Sequence, residues 1–262
     1  MTVRIGVSGA AGRMGREVIA AVRKNKNAAL AAALESPESP HLGETWPGDG
    51  ISVSDNFNPA DADVFIDFSV PAAAVRLAER CRAHKIALVI GATGFGDAEK
   101  SALSAAAADI ALVVSPNMSA GVNAMFALVA DAARYLRGCD VEIFEAHHRG
   151  KKDAPSGTAL RLGEIAAAAA GTKLADAAVF SRRGLGAARE SGQIGFSVMR
   201  GGDIVGEHRV IFADEGEQLE ILHRSTGRAN YARGAVAAAE FAAAAPPGEY
   251  DMQDVLARDE SA

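Results

Sequence analysis

Residues 145 to 159 read EAHHRGKKDAPSGTA, with the adjacent histidines His147 and His148 close to Lys151. Histidine titrates near neutrality, and a lysine among cations loses its proton more readily than a solitary one. Both residue types therefore suit proton transfer at physiological pH. Arg149, Lys151 and Lys152 outweigh Asp153, which makes this a locally electropositive spot on a chain whose formal net charge is -6. Ser156 is a good helix N-cap. Beyond it the backbone amides of Gly157 and Thr158, with the Thr158 hydroxyl, would face outward from a helix start and could bind a carboxylate. The competing reading is a solvated charged loop, which is what most charge runs are.

A second constellation lies near the N-terminus. IGVSGAAGRMG places Gly9, Gly12 and Gly15 between an apolar β-like run and a helical stretch. A tight turn there needs glycine, and bare amides at a helix N-terminus suit a pyrophosphate, with Arg13 as a cation beside it. The next apolar run ends in Glu35, 20 residues after Gly15, where an acid would hold the ribose hydroxyls of a dinucleotide. A carboxylate accepts those hydroxyls in NADH and repels the extra phosphate of NADPH. Ser36 and Pro37 add no arginine to offset it, so NADH is expected to serve at least as well, with Arg13 leaving room for NADPH.

These residues need a scaffold, and the first half of the chain supplies a rhythm for one. Short β-branched runs (VRIGVSG, AALAAALE, DVFIDFS, IALVIG, IALVVS) alternate with helical stretches, which predicts βαβ units and a Rossmann-like parallel sheet. The runs end in small or polar residues, Phe68-Ser69, Gly91-Ala92-Thr93 and Ser115-Pro116-Asn117, which would line a crevice at the carboxyl ends of the strands. The pattern predicts a helix over about 121–137, then the strand DVEIFEAHH, from which His147 and His148 leave on opposite faces. A helix over about 157–170 follows. From 178 to 222 longer alternating runs separated by Gly and Asp turns predict a mixed or antiparallel sheet, and a helix over about 229–244 and a short tail close the chain. The expected architecture is α/β, with a dinucleotide-binding domain over 1–118 and a second α+β domain with a mixed sheet over 119–227. Residues 228–262 are expected to return to the first domain.

Composition narrows the function classes. With 49% hydrophobic and 23% charged residues, the chain can bury a core without crosslinks. Its acidic balance argues against nucleic acid or anionic membrane as partners. Cys81 and Cys139 build neither a disulfide framework nor a metal site, and adjacent histidines lack metal-ligand spacing, so no metal is expected. The N-terminus carries no leader pattern, and no alanine-rich run reaches the ~20 apolar residues of a membrane span. A cytoplasmic protein is expected. A short-chain dehydrogenase needs Lys four residues after Tyr; Tyr135, Tyr231 and Tyr250 are followed there by Cys139, Ala235 and Asp254. His41, His84, His208 and His223 have no comparable company and read as structural or surface residues.

In order along the chain, GAAGRMG, FIDFS, GATGF, EAHHRGKKDAPSGTA, GDIVGEH and DMQDVL resemble the landmarks of the 4-hydroxy-tetrahydrodipicolinate reductase (dihydrodipicolinate reductase) family. That resemblance implies NAD(P)H-dependent reduction of a cyclic dicarboxylate in the diaminopimelate route to lysine. Hydride passes to a ring carbon, the hydroxyl leaves as water, and an enamine-like intermediate is protonated. It implies His147 as acid or base, Lys151 as proton donor, and His148, Gly157 and Thr158 as substrate contacts beside Ser156. It implies cofactor contacts at Gly9, Ala10, Ala11, Gly12, Arg13, Met14, Glu35, Gly91, Ala92, Thr93, Ser115, Pro116, Asn117 and Met118, and a homotetramer built through the second domain's sheet. Two positions depart from the expected pattern: Ala92 stands where a threonine is expected, removing a hydroxyl, and Ser36 stands where some members carry arginine. The alternatives are a non-catalytic NAD(H)-binding sensor and another nicotinamide-dependent dehydrogenase acting on a small carboxylate.

Overall fold

The computed structural model describes residues 2–257 apart from 47 and 49, and these fall into two compact units, one of residues up to 120 with those from 228 onward and one of residues 121–227. The first unit is built on β1 (Val3–Ser8), β2 (Ala28–Leu34), β3 (Val53–Ser54), β4 (Val64–Asp67), β5 (Ala87–Ile90), β6 (Ala111–Val114) and β12 (Gly248–Tyr250). They pair in the order β12-β6-β5-β4-β1-β2-β3, every ladder parallel. β5 and β6 are four-residue apolar runs, and β4 is apolar up to its closing Asp67, because both faces are covered. Val64, Ile66, Val89 and Val113 pack with α1 (Arg13–Lys24) and α7 (Ala229–Ala242). The alternate residues Phe65, Leu88, Ile90 and Leu112 pack with α2 (Pro71–His84) and α3 (Asp97–Ala107).

Strand order reverses between β1 and β4, and in an open parallel sheet that reversal opens a crevice at the carboxyl ends of the strands. The turn from β1 into α1 sits there. Gly9 takes a left-handed backbone (φ 72°), and a Cβ on Gly15 would press into the backbone of Gly9 and Ala10. The glycine spacing thus lets the turn close against the start of α1. Pro71 opens α2 at its first turn, where a missing N–H costs nothing.

In the second unit the strands β7 (Asp140–His147), β8 (Ala178–Val179), β9 (Ile194–Arg200), β10 (Gly206–Asp214) and β11 (Glu217–Ser225) form one sheet, ordered β11-β10-β7-β9-β8. It is mixed: β10 pairs antiparallel with β7 and β11, whereas β9 runs parallel to β7 and β8. One face packs against α4 (Ala120–Tyr135), α5 (Gly157–Ala169) and the short α6 (Leu174–Ala177) around Val129, Ile143, Leu162, Phe196 and Val210. Along β7 the residues on that face are Ile143, Glu145 and His147, so the core's inner surface turns from apolar to ionisable toward the strand's carboxyl end.

The short edge strand β3 and the three-residue β12 carry too little pattern to be read in advance. The tail GEYDMQDVL holds β12, added parallel to β6, and α8 (Met252–Ala257), whose Met252 is buried in the first core.

Candidate functional site

The crevice of the first unit is a cavity of about 710 Å³ lined by Gly9, Gly12, Glu35, Ser69, Arg76 and Arg80 among others. The turn's amides are sorted by use. Gly9 and Ala10 donate to the Leu34 carbonyl and Gly12 to that of Gly9, while Ala11 donates to Glu35 Oε1 at 2.8 Å. Arg13 and Met14, at the head of α1, have no partner for their amides among the described residues. No side chain caps α1 and its first turn holds no acid. A helix mouth with open amides, left uncapped beside a glycine cradle, fits a pyrophosphate. Glu35 is fixed at the end of β2 by the same turn, so the turn and the acid are set at one relative position. These residues fit a dinucleotide, whose nicotinamide, when bound and reduced, supplies a hydride.

The remaining expected cofactor residues are placed differently. Gly91-Ala92-Thr93 and Ser115-Pro116-Asn117 follow β5 and β6 at the same carboxyl edge of the sheet. A Cβ on Gly91 would collide with the Phe68 ring. The Ser115 hydroxyl is spent on the Asn117 carbonyl at 2.9 Å. Ala10 and Met118 have buried side chains, and the Met118 carbonyl abuts Gly234 of α7. These two can offer a ligand only backbone.

The second constellation lies at the carboxyl end of β7. Glu145 is 0% exposed and each of its oxygens accepts twice. Oε1 takes Arg200 Nη2 at 2.8 Å and the Ser156 amide at 2.9 Å, and Oε2 takes Arg200 Nη1 at 2.8 Å and His147 Nδ1 at 2.6 Å. Burial alone would push its carboxyl up; the donors from His147, Arg200 and Ser156 outweigh that and hold its pKa down at about 2. Across the sheet His208 stands edge-on to His147, ring centroids 5.2 Å apart, with its Nε2 3.1 Å from Ser156 Oγ. Burial, then the neighbouring His147, pushes the His208 imidazole down to about 3, so it is neutral at physiological pH.

The loop from 148 to 156 is tied to this cluster at several points. Gly201 N–H donates to the His147 carbonyl and Arg149 N–H to that of Gly202, while Arg200 Nη2 donates to the Asp153 carbonyl at 2.6 Å. Lys151, partly buried, pairs with Asp153 at 2.8 Å. Arg149 and Lys152 are exposed. The loop is therefore a positioned segment, and among its cations the solvated-loop reading holds for Arg149 and Lys152.

The chain matches the description "Dihydrodipicolinate reductase, N-terminus" over residues 3–118 and "Dihydrodipicolinate reductase, C-terminus" over residues 121–256. It is 48% identical to a 4-hydroxy-tetrahydrodipicolinate reductase of Nitrosospira multiformis, covering 97% of this chain and 98% of that one. The chain belongs to the dihydrodipicolinate reductase family. A 4-hydroxy-tetrahydrodipicolinate reductase of Anaeromyxobacter dehalogenans is 49% identical, with 97% of each chain covered. A solved dihydrodipicolinate reductase from Paenisporosarcina sp. TG-14, bound to dipicolinate, shares the fold at a TM-score of 0.79 and 24% identity, covering 96% of this chain and 98% of that one.

Within this dihydrodipicolinate reductase family chain, the two adjacent histidines are placed differently. His147 is buried in the cluster, whereas His148 lies beyond the last residue of β7, so the two histidines do not flank one strand as their adjacency suggests. Ser156 caps α5 as expected, accepting from the Ala159 amide at 3.2 Å, but it is 2% exposed and its hydroxyl also meets His208. It builds the helix start, and Gly157 and Thr158 carry the amides next to it. Glu145, Arg200 and His208 were not singled out from the sequence. The signal available for Glu145 was its two-residue spacing from His147, which puts both on one face of a strand. Arg200 and His208 arrive on β9 and β10, and their register had no sequence signal. Among the described residues no group of three or more His, Cys, Asp and Glu could hold a metal, and no helix is long and apolar enough to cross a membrane.

Proposed function

We propose that this chain reduces 4-hydroxy-tetrahydrodipicolinate to tetrahydrodipicolinate in the diaminopimelate route of lysine biosynthesis. One proton and the hydride of a reduced nicotinamide are consumed, and water and the oxidised cofactor are released. Carrying this reading is the buried Glu145–His147–Arg200 cluster at the mouth of α5, in a chain that matches the reductase family over residues 3–118 and 121–256. His147 exchanges a proton through Nε2, Lys151 donates one to the reduced ring, and the Gly157 and Thr158 amides with His148 hold the ring's carboxylates. The test is nicotinamide absorbance at 340 nm, with substrate made in situ from pyruvate and aspartate semialdehyde by the preceding condensing enzyme. Oxidation that requires the condensation product is the expected result, and no turnover with either cofactor refutes the reading.

NADH serves at least as well as NADPH, because Glu35 accepts ribose hydroxyls and Ser36 supplies no cation. Arg76 and Arg80, one helical turn apart on α2, line the same cavity and can balance a 2′-phosphate. Arg80 lies over the Phe57 ring, 5.9 Å from its centroid, and Arg76 has no ion-pair partner among the described residues. Arg76→Ala with Arg80→Ala should weaken NADPH by about 10-fold in a fluorescence titration, the loss of one charge-assisted contact, with NADH changed less than ~3-fold. Equal weakening of both cofactors would move the arginines from the phosphate to the adenine. The proposed assembly is a homotetramer through the open face of the second unit's sheet, which displays Met199 and Leu222 among ion pairs such as Arg224–Glu207 at 2.7 Å. The proposed location is the cytoplasm.

A further inference from the structure

We propose that Glu145 is the positioning residue of the reaction: with Arg200 balancing its charge, it fixes His147 in the tautomer protonated at Nδ1 and reserves Nε2 for proton exchange. This rests on the reading of His147 as the acid–base residue. The geometry decides the tautomer. An ionised carboxylate has no proton to give, and Glu145 Oε2 lies 2.6 Å from His147 Nδ1. Nδ1 must therefore be the donor, and in the neutral ring Nε2 is left with its lone pair.

The other three bonds to Glu145 explain why a carboxylate can be buried there. A charge sealed in a protein costs several kcal/mol unless it is paired and its lone pairs are filled. Here the planar guanidinium of Arg200 reaches both oxygens, one 2.8 Å bond to each, and the Ser156 amide adds a third donor. The Glu145–Arg200 pair is neutral as a unit. It can orient the imidazole while leaving the ring able to gain and lose its charge through a catalytic cycle. The groups facing His147 are few. β10 brings His208, held neutral, and β9 brings Arg200, already committed to Glu145; Lys151 of the loop acts on His208 and is itself paired with Asp153. No second carboxylate among the described residues bonds to the ring.

The same carboxylate also shapes the loop. Arg200 holds the Asp153 carbonyl, and Glu145 holds the Ser156 amide, so the group that orients His147 also fixes both sides of Pro155 ahead of α5. A change at Glu145 should therefore be felt in kcat far more than in cofactor affinity, since the glycine turn and Glu35 belong to the other unit.

The experiment is histidine-selective ¹⁵N labelling of the full chain, with the His147 resonances assigned by their loss in His147→Asn. Two-bond ¹H–¹⁵N correlation then reads the tautomer near neutral pH. Expected for the unmodified protein is Nδ1–H. In Glu145→Gln the amide can donate as well as accept, so the Nδ1–H preference is lost. There kcat should fall at least ~10-fold, part of the 10²–10⁴ that general acid–base catalysis supplies, with NADH affinity within ~2-fold. Glu145→Asp, which keeps a carboxylate, recovers the tautomer and part of the rate. An Nε2–H ring in the unmodified protein overturns the proposal even if no variant folds, as does an unchanged tautomer and rate in a folded Glu145→Gln. If His147→Asn keeps full activity while the tautomer follows Glu145 as described, the positioning stands and it is the acid–base assignment that falls.

Discussion

Lys151→Ala is expected to lower kcat at least ~100-fold while leaving cofactor affinity unchanged. A loss of that size, about 2.7 kcal/mol of barrier, is the low end of what a positioned general acid contributes. The structure separates this from a folding effect. The Lys151 side chain is 22% exposed and pairs with an Asp153 that is 60% exposed, and a pair open to water on one side contributes ~1 kcal/mol or less. Removing it leaves no buried charge behind. Asp153→Ala should therefore be mild in both stability and rate, and the contrast between the two variants is informative. Lys151→Arg sharpens it further. Guanidinium keeps the positive charge and can hold a carboxylate, but it does not give up a proton at working pH. If Lys151 donates a proton, Lys151→Arg loses kcat nearly as Lys151→Ala does while keeping KM for the substrate. Were Lys151 only an electrostatic clamp, Lys151→Arg would restore the rate. Steady-state kinetics with substrate generated in situ, alongside fluorescence titration of NADH, read both parameters. An unchanged rate in Lys151→Ala removes it from the mechanism.

The parts of this molecule that could be read from its sequence are those whose physics is local. The turn from β1 to α1 announces itself because a tight strand-to-helix turn against a close-packed helix needs glycine at Gly9 and Gly15, and no other residue substitutes cheaply. The parallel sheet was legible because strands covered on both faces must be continuous apolar runs, and VFI, ALVI and ALVV are that. Ser156 as a helix cap follows from its own side chain reaching an amide three residues on. Glu145 could have been read, being two residues from His147 on one strand face. A glutamate in a strand, however, carries no sign of burial until its partners are known. Those partners are distant in sequence. Arg200 lies 55 residues from Glu145 and His208 lies 52 from Ser156. They arrive only through the register of β9 and β10 on β7, which pairs His147 with Arg200 and Glu145 with His208. Register depends on which face each strand must bury, a property of the assembled core. His208, read from the sequence as structural or surface, is buried beside the acid–base residue for that reason.

Arg200→Met is expected to destabilise the fold by roughly 3 kcal/mol near pH 7, the usual cost of removing one partner of a buried ion pair and leaving the other charge behind. Its pH dependence identifies the cause. In the native state Glu145 titrates at about 2 against an ordinary 4.5. Its folded pKa is depressed, so the stability it contributes is present above pH 4.5 and is lost as pH falls through 2. At full ionisation that contribution is about 3 kcal/mol, taking 1.36 kcal/mol per pKa unit. His208 acts in the same direction over a wider window. Its folded pKa is pushed from 6.5 to about 3, so the folded state resists a proton that the unfolded chain accepts, and stability erodes as pH drops below 6.5. The unmodified second unit should therefore weaken steadily between pH 6.5 and 3. In Arg200→Met the carboxyl has lost one of its lowering donors, a bond to each oxygen, and takes up a proton more readily in the folded state. The gap between variant and unmodified protein should then close as pH falls toward 3, because protonation removes the unpaired charge. Urea unfolding at pH 7, 5.5, 4.5 and 3.5 measures this by far-UV circular dichroism, because the single tryptophan, Trp46, belongs to the first unit and its fluorescence would report the wrong half. A gap that stays constant across that range would mean Arg200 stabilises through its packing and its bond to the Asp153 carbonyl, with Glu145 bearing no net charge in the folded protein.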